Sequence, residues 1–288
     1  MEFESITKKL YHHRNSNSIK NDFGKTLILG GSRRYPLSVV ISASFATLSG
    51  TGFVSLGVPS SIYPLVVSKA YPTWIYEPDM KESDSLSYSE GELEKISNSY
   101  SSILFGNGIA DTKENERVLA YLLSGYKGNL VVDATGLTLL KRIGAASFSG
   151  NVILTPHLGE AGRLFDMNIH SRNPEDYLSM AKSYAESHSC DVLLKSADSI
   201  LVTKDGEYHN GFLPTPSLAK AGSGDGLAGY LAGLLSYGTK DFSVTDLILF
   251  ADLMIHRASY LSALKETDGL SDILSCIPMI KKIIQEGK

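Results

Sequence analysis

The sequence predicts an α/β protein whose mostly parallel sheet is covered by helices on both faces. Short segments rich in β-branched residues alternate with longer segments rich in Ala, Leu, Glu or Lys along most of the chain. Strand, helix and strand in succession form a parallel unit whose helix covers the sheet. Small and polar residues follow the strand segments, where open α/β sheets bind their ligands.

The predicted strands are, in order, KTLILGG, GFVSLGV, SSILFGNG, NLVVDAT, NVILTPH and DVLLKSA. Helical patterns at 36–49 and 60–69 follow the first two. The segment ILVTKDGEYHN contains two short strands around a Lys-Asp-Gly turn, which predicts an antiparallel hairpin at the edge of the sheet. Apolar helices are expected at 226–237 and 244–264, and the polar stretch 79–99 is expected to be a surface excursion.

Composition restricts the class of protein. The 288 residues are 43% hydrophobic and carry a formal net charge of -4, without a Lys/Arg-rich block, so we expect no nucleic-acid partner. No apolar run is long enough to cross a membrane and the first residues lack an apolar leader pattern, so we expect a cytoplasmic protein. Cys190 and Cys276 match no metal-ligand spacing and are expected to be buried thiols.

The segment AGSGDGLAG holds one charged side chain, Asp225, where a helix is expected to begin. Gly222 and Gly224 allow the backbone to approach a ligand, and the first amides of the helix attract phosphate. A carboxylate beside a phosphate can act as a general base if a hydroxyl lies between them. Alternatively, Asp225 is a helix cap and the Gly and Ala residues serve close helix packing.

Two further segments place polar side chains at the same edge. In TPHLGE, His157 and Glu160 lie about one helical turn apart, and His157 faces the cleft unless it is an ordinary surface or core histidine. In LLKSADSILV, Lys195 points into the cleft, and Ser196 and Ser199 would let a nucleotide approach, unless the segment is a solvated turn. The sequence contains neither a GxGxxG turn at GGSRRYPLS nor a GxxxxGK[ST] loop.

Taken in order, GGS…P, SGTGFV, FGNG, VDATGL, TPHLGEAGRL, LLKSADSILV and AGSGDGLAGYLAGLL resemble the ADP/ATP-dependent NAD(P)H-hydrate dehydratase family of the ribokinase-like superfamily. The resemblance covers about 26–238. It implies a three-layer α/β/α sandwich with an antiparallel edge hairpin, formed as one domain over 1–288 with an N-terminal extension at 1–25. It also implies a carbon-oxygen lyase that repairs NADH hydrate and NADPH hydrate: ADP or ATP phosphorylates the ring hydroxyl, and loss of phosphate restores the reduced cofactor.

The resemblance also implies roles for individual residues. Asp225 would accept the hydroxyl proton. The predicted anion hole comprises Gly222, Ser223 and Gly224. The residues matching the hydrate-binding positions are Ser38, Gly108, His157 and Asp225. Those matching the nucleotide-binding positions are Lys195, Ser196, Ala197, Asp198, Ser199 and Gly224. Mg2+ would arrive with the nucleotide, without metal ligands from the protein, and a homo-oligomer, a tetramer, is expected.

Several positions depart from the family pattern. Leu37 and Val39 replace small residues at the start of the first helix. Asn107 replaces a proline, which we expect to change turn stiffness more than chemistry. Thr135 replaces an acidic residue near Asp133, and Ser196 replaces a glycine. The region 1–25 is too short to hold the epimerase domain that some members carry, so a stand-alone dehydratase is expected. Two other functions stay open, a hydroxyethylthiazole or pyrimidine kinase of the same superfamily and a nucleotide-binding sensor without catalysis.

Overall fold

The structure is a computed structural model. It describes residues 3–11, 16–69, 74–76, 83–144, 147–167, 171–209, 215–263 and 269–286. Parts of several sequence predictions lie outside these ranges, namely 12–15 of the N-terminal extension, 79–82 of the polar stretch, 210 of the hairpin and 264 of the last apolar helix.

The described residues form one nine-stranded sheet. Its strands are β1 (Lys25–Leu29), β2 (Phe53–Gly57), β3 (Trp74–Tyr76), β4 (Ser102–Phe105), β5 (Asn129–Val132), β6 (Asn151–Leu154), β7 (Asp191–Leu194), β8 (Ile200–Val202) and β9 (Tyr208–His209). The spatial order is β3-β2-β1-β4-β5-β6-β7-β8-β9. The first seven strands are parallel, whereas β8 and β9 pair antiparallel, which confirms the predicted edge hairpin.

Helices cover both faces of this sheet. They are α1 (Phe3–Leu10), α2 (Ser38–Ser49), α3 (Tyr63–Val67), α4 (Glu90–Ser99), α5 (Lys113–Gly125), α6 (Thr135–Ile143), α7 (Leu158–Leu164), α8 (Leu178–His188), α9 (Ser223–Leu235), α10 (Val244–Ser262) and α11 (Leu270–Glu286). Successive strand side chains enter opposite cores: Val131 packs with α1–α3 and α9–α11, whereas Leu130 and Val132 pack with α4–α8. The predicted three-layer α/β/α fold is confirmed.

The helix after AGSGDG begins earlier than the sequence predicts. α9 starts at Ser223 instead of Gly226, so Asp225 lies inside its first turn. Helix α10 ends at Ser262, two residues before the expected end. The segment expected to be helical at 60–69 is a 3-10 turn, Ser60–Ile62, followed by the five-residue helix α3.

The prediction of a surface excursion at 79–99 is wrong for its described part. Ser89 and Glu92 form a capping box that starts α4. Leu93 and Ile96, three positions apart on that helix, are buried in the same core as Leu86. The polar composition of this segment did not indicate α4, which packs on the core through a few apolar residues.

Small residues bring α9 against α2. A Cβ built on Gly229 would lie 2.1 Å from the carbonyl oxygen of Ser42, so a larger residue cannot occupy this position without displacing a helix. This confirms that the Gly and Ala residues of α9 serve close helix packing. Cys190 and Cys276 are buried free thiols, as predicted. Within the described ranges, no helix has the length and apolar character needed to cross a membrane.

Candidate active site

The site lies where the parallel strands end. Asn107 follows β4, Asp133 follows β5, Lys195 follows β7, and α9 brings Asp225 to the same place. Asn107 Nδ2 lies 2.7 Å from Asp225 Oδ1 and 3.4 Å from Asp133 Oδ2. Lys195 Nζ donates to Asp133 Oδ1 at 2.5 Å. Residues 118 positions apart in the chain therefore share one hydrogen-bonded group.

Asp225 does not cap α9. The residue before the helix is Gly222, with φ at 88°, and no side chain bonds to the first amides. Burial and, to a lesser degree, the charge of Asp133 raise the pKa of Asp225 to about 6. The hydrogen bond from Asn107 lowers that pKa, as do Lys195 and Ser38 to smaller degrees. Asp225 is therefore a carboxyl that loses its proton just below neutral pH, which suits a general base.

Asp133 and Lys195 form a buried ion pair. Their side chains are 2% and 15% exposed. Burial alone would lower the pKa of Lys195, but Asp133 and Glu160 outweigh it and keep the pKa raised. Lys195 therefore carries a positive charge within the site. The sequence predicted that Lys195 contacts the nucleotide, but the ion pair with Asp133 was not predicted.

Ser38 and Gly108 lie beside Asp225. Gly108 has φ at 68°, and a Cβ built there would lie 2.8 Å from Ser38 Oγ. The hydroxyl of Ser38 also bonds to Asp225. Two predicted hydrate-binding residues, from the first helix of the site and the β4 turn, thus meet at the proposed base.

His157 begins α7 and is half exposed. Its Nδ1 accepts hydrogen bonds from the amides of Gly159 at 3.0 Å and Glu160 at 3.3 Å, and Glu160 bonds back to the amide of His157. His157 pairs with Lys195 through the backbone, which sets it at the rim of the site. It is therefore a helix cap that also faces the cavity.

A cavity of about 390 Å³ opens beside these groups. Its size is in the range of ligand sites. Among its lining residues are predicted site residues, namely His157, Lys195, Ser196, Ala197, Ser199, Ser223 and Gly224. The lining does not include the other predicted site residues, namely Ser38, Gly108, Asp198, Gly222 and Asp225. Asp198 is exposed, and its amide and carbonyl bond to Ser196 Oγ. The turn 195–199 is compact, which brings its backbone toward the cavity.

Two buried residues at the cavity were not predicted from the sequence. Asp252 and His256 stand four positions apart on α10, and His256 Nε2 lies 3.4 Å from Asp252 Oδ2. Asp252 Oδ1 accepts from Ser199 Oγ at 3.2 Å, and burial raises the pKa of Asp252 to about 6. An acid and a histidine at this spacing in an otherwise apolar helix are the signal that could have identified them.

Asn107 is the second omission, since the sequence predicted that it changes turn stiffness more than chemistry and did not predict its contact with Asp225. Its side chain is fully buried and contacts the carboxylate of Asp225 directly. The described residues contain no group of three or more His, Cys, Asp or Glu side chains that could hold a metal ion.

Comparison with known sequences identifies the family. The sequence profile of the NAD(P)H-hydrate dehydratase family matches residues 26–276. The chain belongs to this family.

Two curated relatives of the NAD(P)H-hydrate dehydratase family illustrate the similarity. The bifunctional NAD(P)H-hydrate repair enzyme Nnr of Thermofilum pendens is 31% identical over 230 residues, which cover 78% of this chain and 43% of that protein. The ADP-dependent (S)-NAD(P)H-hydrate dehydratase of Streptococcus pneumoniae is 27% identical over 236 residues, covering 81% and 77%. The chain thus spans about half the length of several curated relatives.

Solved structures share the fold. A ribokinase-like superfamily protein of Enterococcus faecalis has a TM-score of 0.80 at 21% identity, covering 98% of this chain and 95% of that one. The ADP/ATP-dependent NAD(P)H-hydrate dehydratase of Bacillus subtilis, crystallised with ATP and Mg2+, has a TM-score of 0.78 at 22% identity, covering 98% and 97%. The ribokinase-like fold implied by the sequence motifs is confirmed.

Proposed function

We propose that this member of the family is a nucleotide-dependent dehydratase that repairs NADH hydrate and NADPH hydrate. The observation that carries the proposal is the position of Asp225. Asp225 lies in the first turn of α9, directly after Ser223 and Gly224, which line a cavity of ligand size. This arrangement suits the transfer of a phosphoryl group to a hydroxyl, and the names of the related proteins supply the substrate class.

The first step would transfer a phosphoryl group to the ring hydroxyl. Asp225 accepts the hydroxyl proton as the oxygen attacks the terminal phosphorus of ADP or ATP, and the bond from that phosphorus to the bridging oxygen breaks. The backbone amides of Gly222, Ser223 and Gly224 would stabilise the negative charge on the transferring group. Lys195 would add a fixed positive charge nearby, since its ammonium lies 3.1 Å from a Cβ built on Gly224.

The second step would eliminate phosphate. The lone pair of the ring nitrogen expels the phosphate as the carbon-oxygen bond breaks, and loss of a proton from the adjacent carbon restores the ring double bond. The net result is hydrate plus ATP giving reduced cofactor, ADP and phosphate, or AMP and phosphate when ADP is the donor. Phosphorylation makes the oxygen a good leaving group, which explains why a dehydratase uses a kinase fold.

The hydrate would contact Ser38 and Gly108 beside Asp225 and His157 at the rim of the cavity. The nucleotide would lie along Lys195–Ser199. Mg2+ is proposed to arrive bound to the nucleotide phosphates, whose charge it neutralises. The described residues hold no ligand cluster for a metal.

We also propose that the chain acts as a single domain, as a homo-oligomer, a tetramer, and in the cytoplasm, without nucleic-acid or membrane partners. The net charge of -4 supports the absence of a nucleic-acid partner. Size-exclusion chromatography with light scattering measures the oligomeric state directly.

The function is tested by mixing the protein with NADH hydrate, Mg2+ and either ADP or ATP, and following the return of NADH absorbance. Return of absorbance with one nucleotide supports the proposal and identifies the donor. Nucleotide binding without return of NADH contradicts it. Release of a stable phosphate ester from a thiazole or pyrimidine alcohol would then identify a kinase, and nucleotide binding without any turnover would identify a sensor.

A further inference from the structure

The side chain of Asn107 is buried between two carboxylates. Its Nδ2 lies 2.7 Å from Asp225 Oδ1, 3.4 Å from Asp133 Oδ2 and 3.3 Å from Ser42 Oγ. The side chain is fully inaccessible to solvent. Water therefore cannot replace these contacts.

Charge fixes the orientation of this amide. An ionised carboxylate accepts hydrogen bonds and cannot donate them, so the NH2 group of Asn107 must face Asp225 and Asp133. The opposite orientation would place an amide oxygen against a carboxylate oxygen. In the observed orientation Oδ1 is buried and has no hydrogen-bond partner among the described residues. The amide thus satisfies the carboxylates and leaves its own acceptor unpaired.

Few other groups can compensate the charge of Asp225. Asp133, after β5, raises its pKa. Lys195, after β7, opposes this, but its nearest carboxylate is Asp133 at 2.5 Å. From α2, Ser38 supplies a neutral hydroxyl. Farther out, on α7, Glu160 acts on Lys195. Asn107 donates a hydrogen bond of 2.7 Å directly to the Asp225 carboxylate.

We propose that Asn107 is a positioning residue that holds the Asp225 carboxylate ionised and in one fixed orientation. The inference rests on the proposed role of Asp225 as the base. Hydrogen bonds to the charged form of a carboxyl favour ionisation, so Asn107 offsets the repulsion from Asp133 and the loss of water. Without the Asn107 amide, the Asp225 carboxylate would take up a proton at a higher pH and would no longer be held in one orientation.

The test compares Asn107→Leu with the unmodified protein. Leucine has the same number of side-chain heavy atoms with the same branching and no hydrogen-bond donor, but it is larger than asparagine. The acid limb of the kcat/KM profile for hydrate repair should move upward by about one pH unit, the size expected for a lost hydrogen bond to a charged carboxyl. The loss of activity should therefore be about fivefold greater at pH 6 than at pH 8.5. Should the leucine variant not fold, Asn107→Ala, which adds no atoms, serves for the same measurement.

Ser42→Ala is the matched control. It removes the hydroxyl that Asn107 contacts on α2 and leaves both carboxylates in place. Its acid limb should stay where it is in the unmodified protein. An unchanged limb in the Asn107 variants, or an equal movement in Ser42→Ala, would overturn the inference and leave Asn107 as a packing residue.

Titration of 13C-labelled aspartate by NMR separates this inference from the proposed function. The Asp225 resonance, assigned by comparison with Asp225→Asn, should titrate about one pH unit higher in Asn107→Leu. This measurement requires no turnover. An unmodified protein without dehydratase activity would contradict the proposed function, whereas an unmoved Asp225 titration would contradict the role of Asn107.

Discussion

Lys195 Nζ lies 2.5 Å from Asp133 Oδ1, in an ion pair that joins the ends of β5 and β7 across the intervening β6. The pair is almost fully buried and stands beside Asp225. It neutralises the Asp133 carboxylate and leaves the Asp225 carboxylate for the proposed role of general base. Both the stability of this edge and the charge at the site depend on it.

Breaking this ion pair should destabilise the protein. Lys195→Met leaves Asp133 buried without its partner, which we expect to cost about 3 kcal/mol of unfolding free energy. Adding Asp133→Asn should recover part of that loss, because the unpaired charge is then removed. Urea unfolding of both single variants and the double variant measures the coupling. Lys113→Met, which breaks an exposed pair with Glu116, should cost less than about 1 kcal/mol. Additive losses at 195 and 133 would contradict the coupling.

Asp225→Asn should make the protein more stable at neutral pH. The folded state raises the pKa of Asp225 from 3.8 to about 6, so it holds a proton that the unfolded state has released, and stability falls as pH rises through this window. The rise corresponds to a gain of up to about 3 kcal/mol for the neutral variant at pH 7.5 and little gain at pH 4. Thermal unfolding at the two pH values checks this. A variant less stable than the unmodified protein at pH 7.5 would refute the expectation.

His157 should have two separable effects. His157→Ala removes the acceptor for two helix amides and should cost about 1 kcal/mol of stability. His157→Asn keeps a capping acceptor and should preserve most of that stability. Both variants should raise KM for the hydrate, if the ring contacts it. Recovery of KM in the asparagine variant would show that His157 acts solely as the cap of α7.

Gly229→Ala should disrupt the packing of α9 on α2. The new Cβ would meet the Ser42 carbonyl oxygen at 2.1 Å, and backbone cannot move aside as a flexible side chain can. We expect a loss of about 3 kcal/mol or failure to fold. Gly91→Ala is the control, because no atom lies within 4 Å of a Cβ there. Similar stability in the two variants, measured by chemical unfolding, would contradict the close packing.

Much of the fold was predictable because its signals are local. Alternating strand and helix patterns identified the parallel sheet, and the Lys-Asp-Gly turn identified the antiparallel edge. The buried part of 83–99 was not predictable from its polar composition, since its few apolar residues enter the core through a capped helix. The start of α9 was misplaced because its first residues are Ser223 and Gly224, which are weak helix formers.

The site was predictable in part for the same reason. Asp225 could be predicted because it is the one charged residue in a segment of small residues. Lys195 could be predicted because it follows a strand. Asn107 could not, because its contact with Asp225 arises when α9 approaches the β4 turn from a distant part of the chain. The buried pair of Asp252 and His256 was likewise hidden within an apolar helix.

The central claim is that Asp225 removes the proton from the hydrate hydroxyl, and Asp225→Asn tests it most directly. The control is Asp246→Asn, because Asp246 holds the third position of α10 as Asp225 does of α9. Turnover of NADH hydrate and nucleotide affinity are measured for both variants. The account predicts that Asp225→Asn abolishes turnover while nucleotide affinity stays nearly unchanged, and that Asp246→Asn alters neither. Retained turnover in Asp225→Asn, or an equal loss of turnover and affinity, would contradict it.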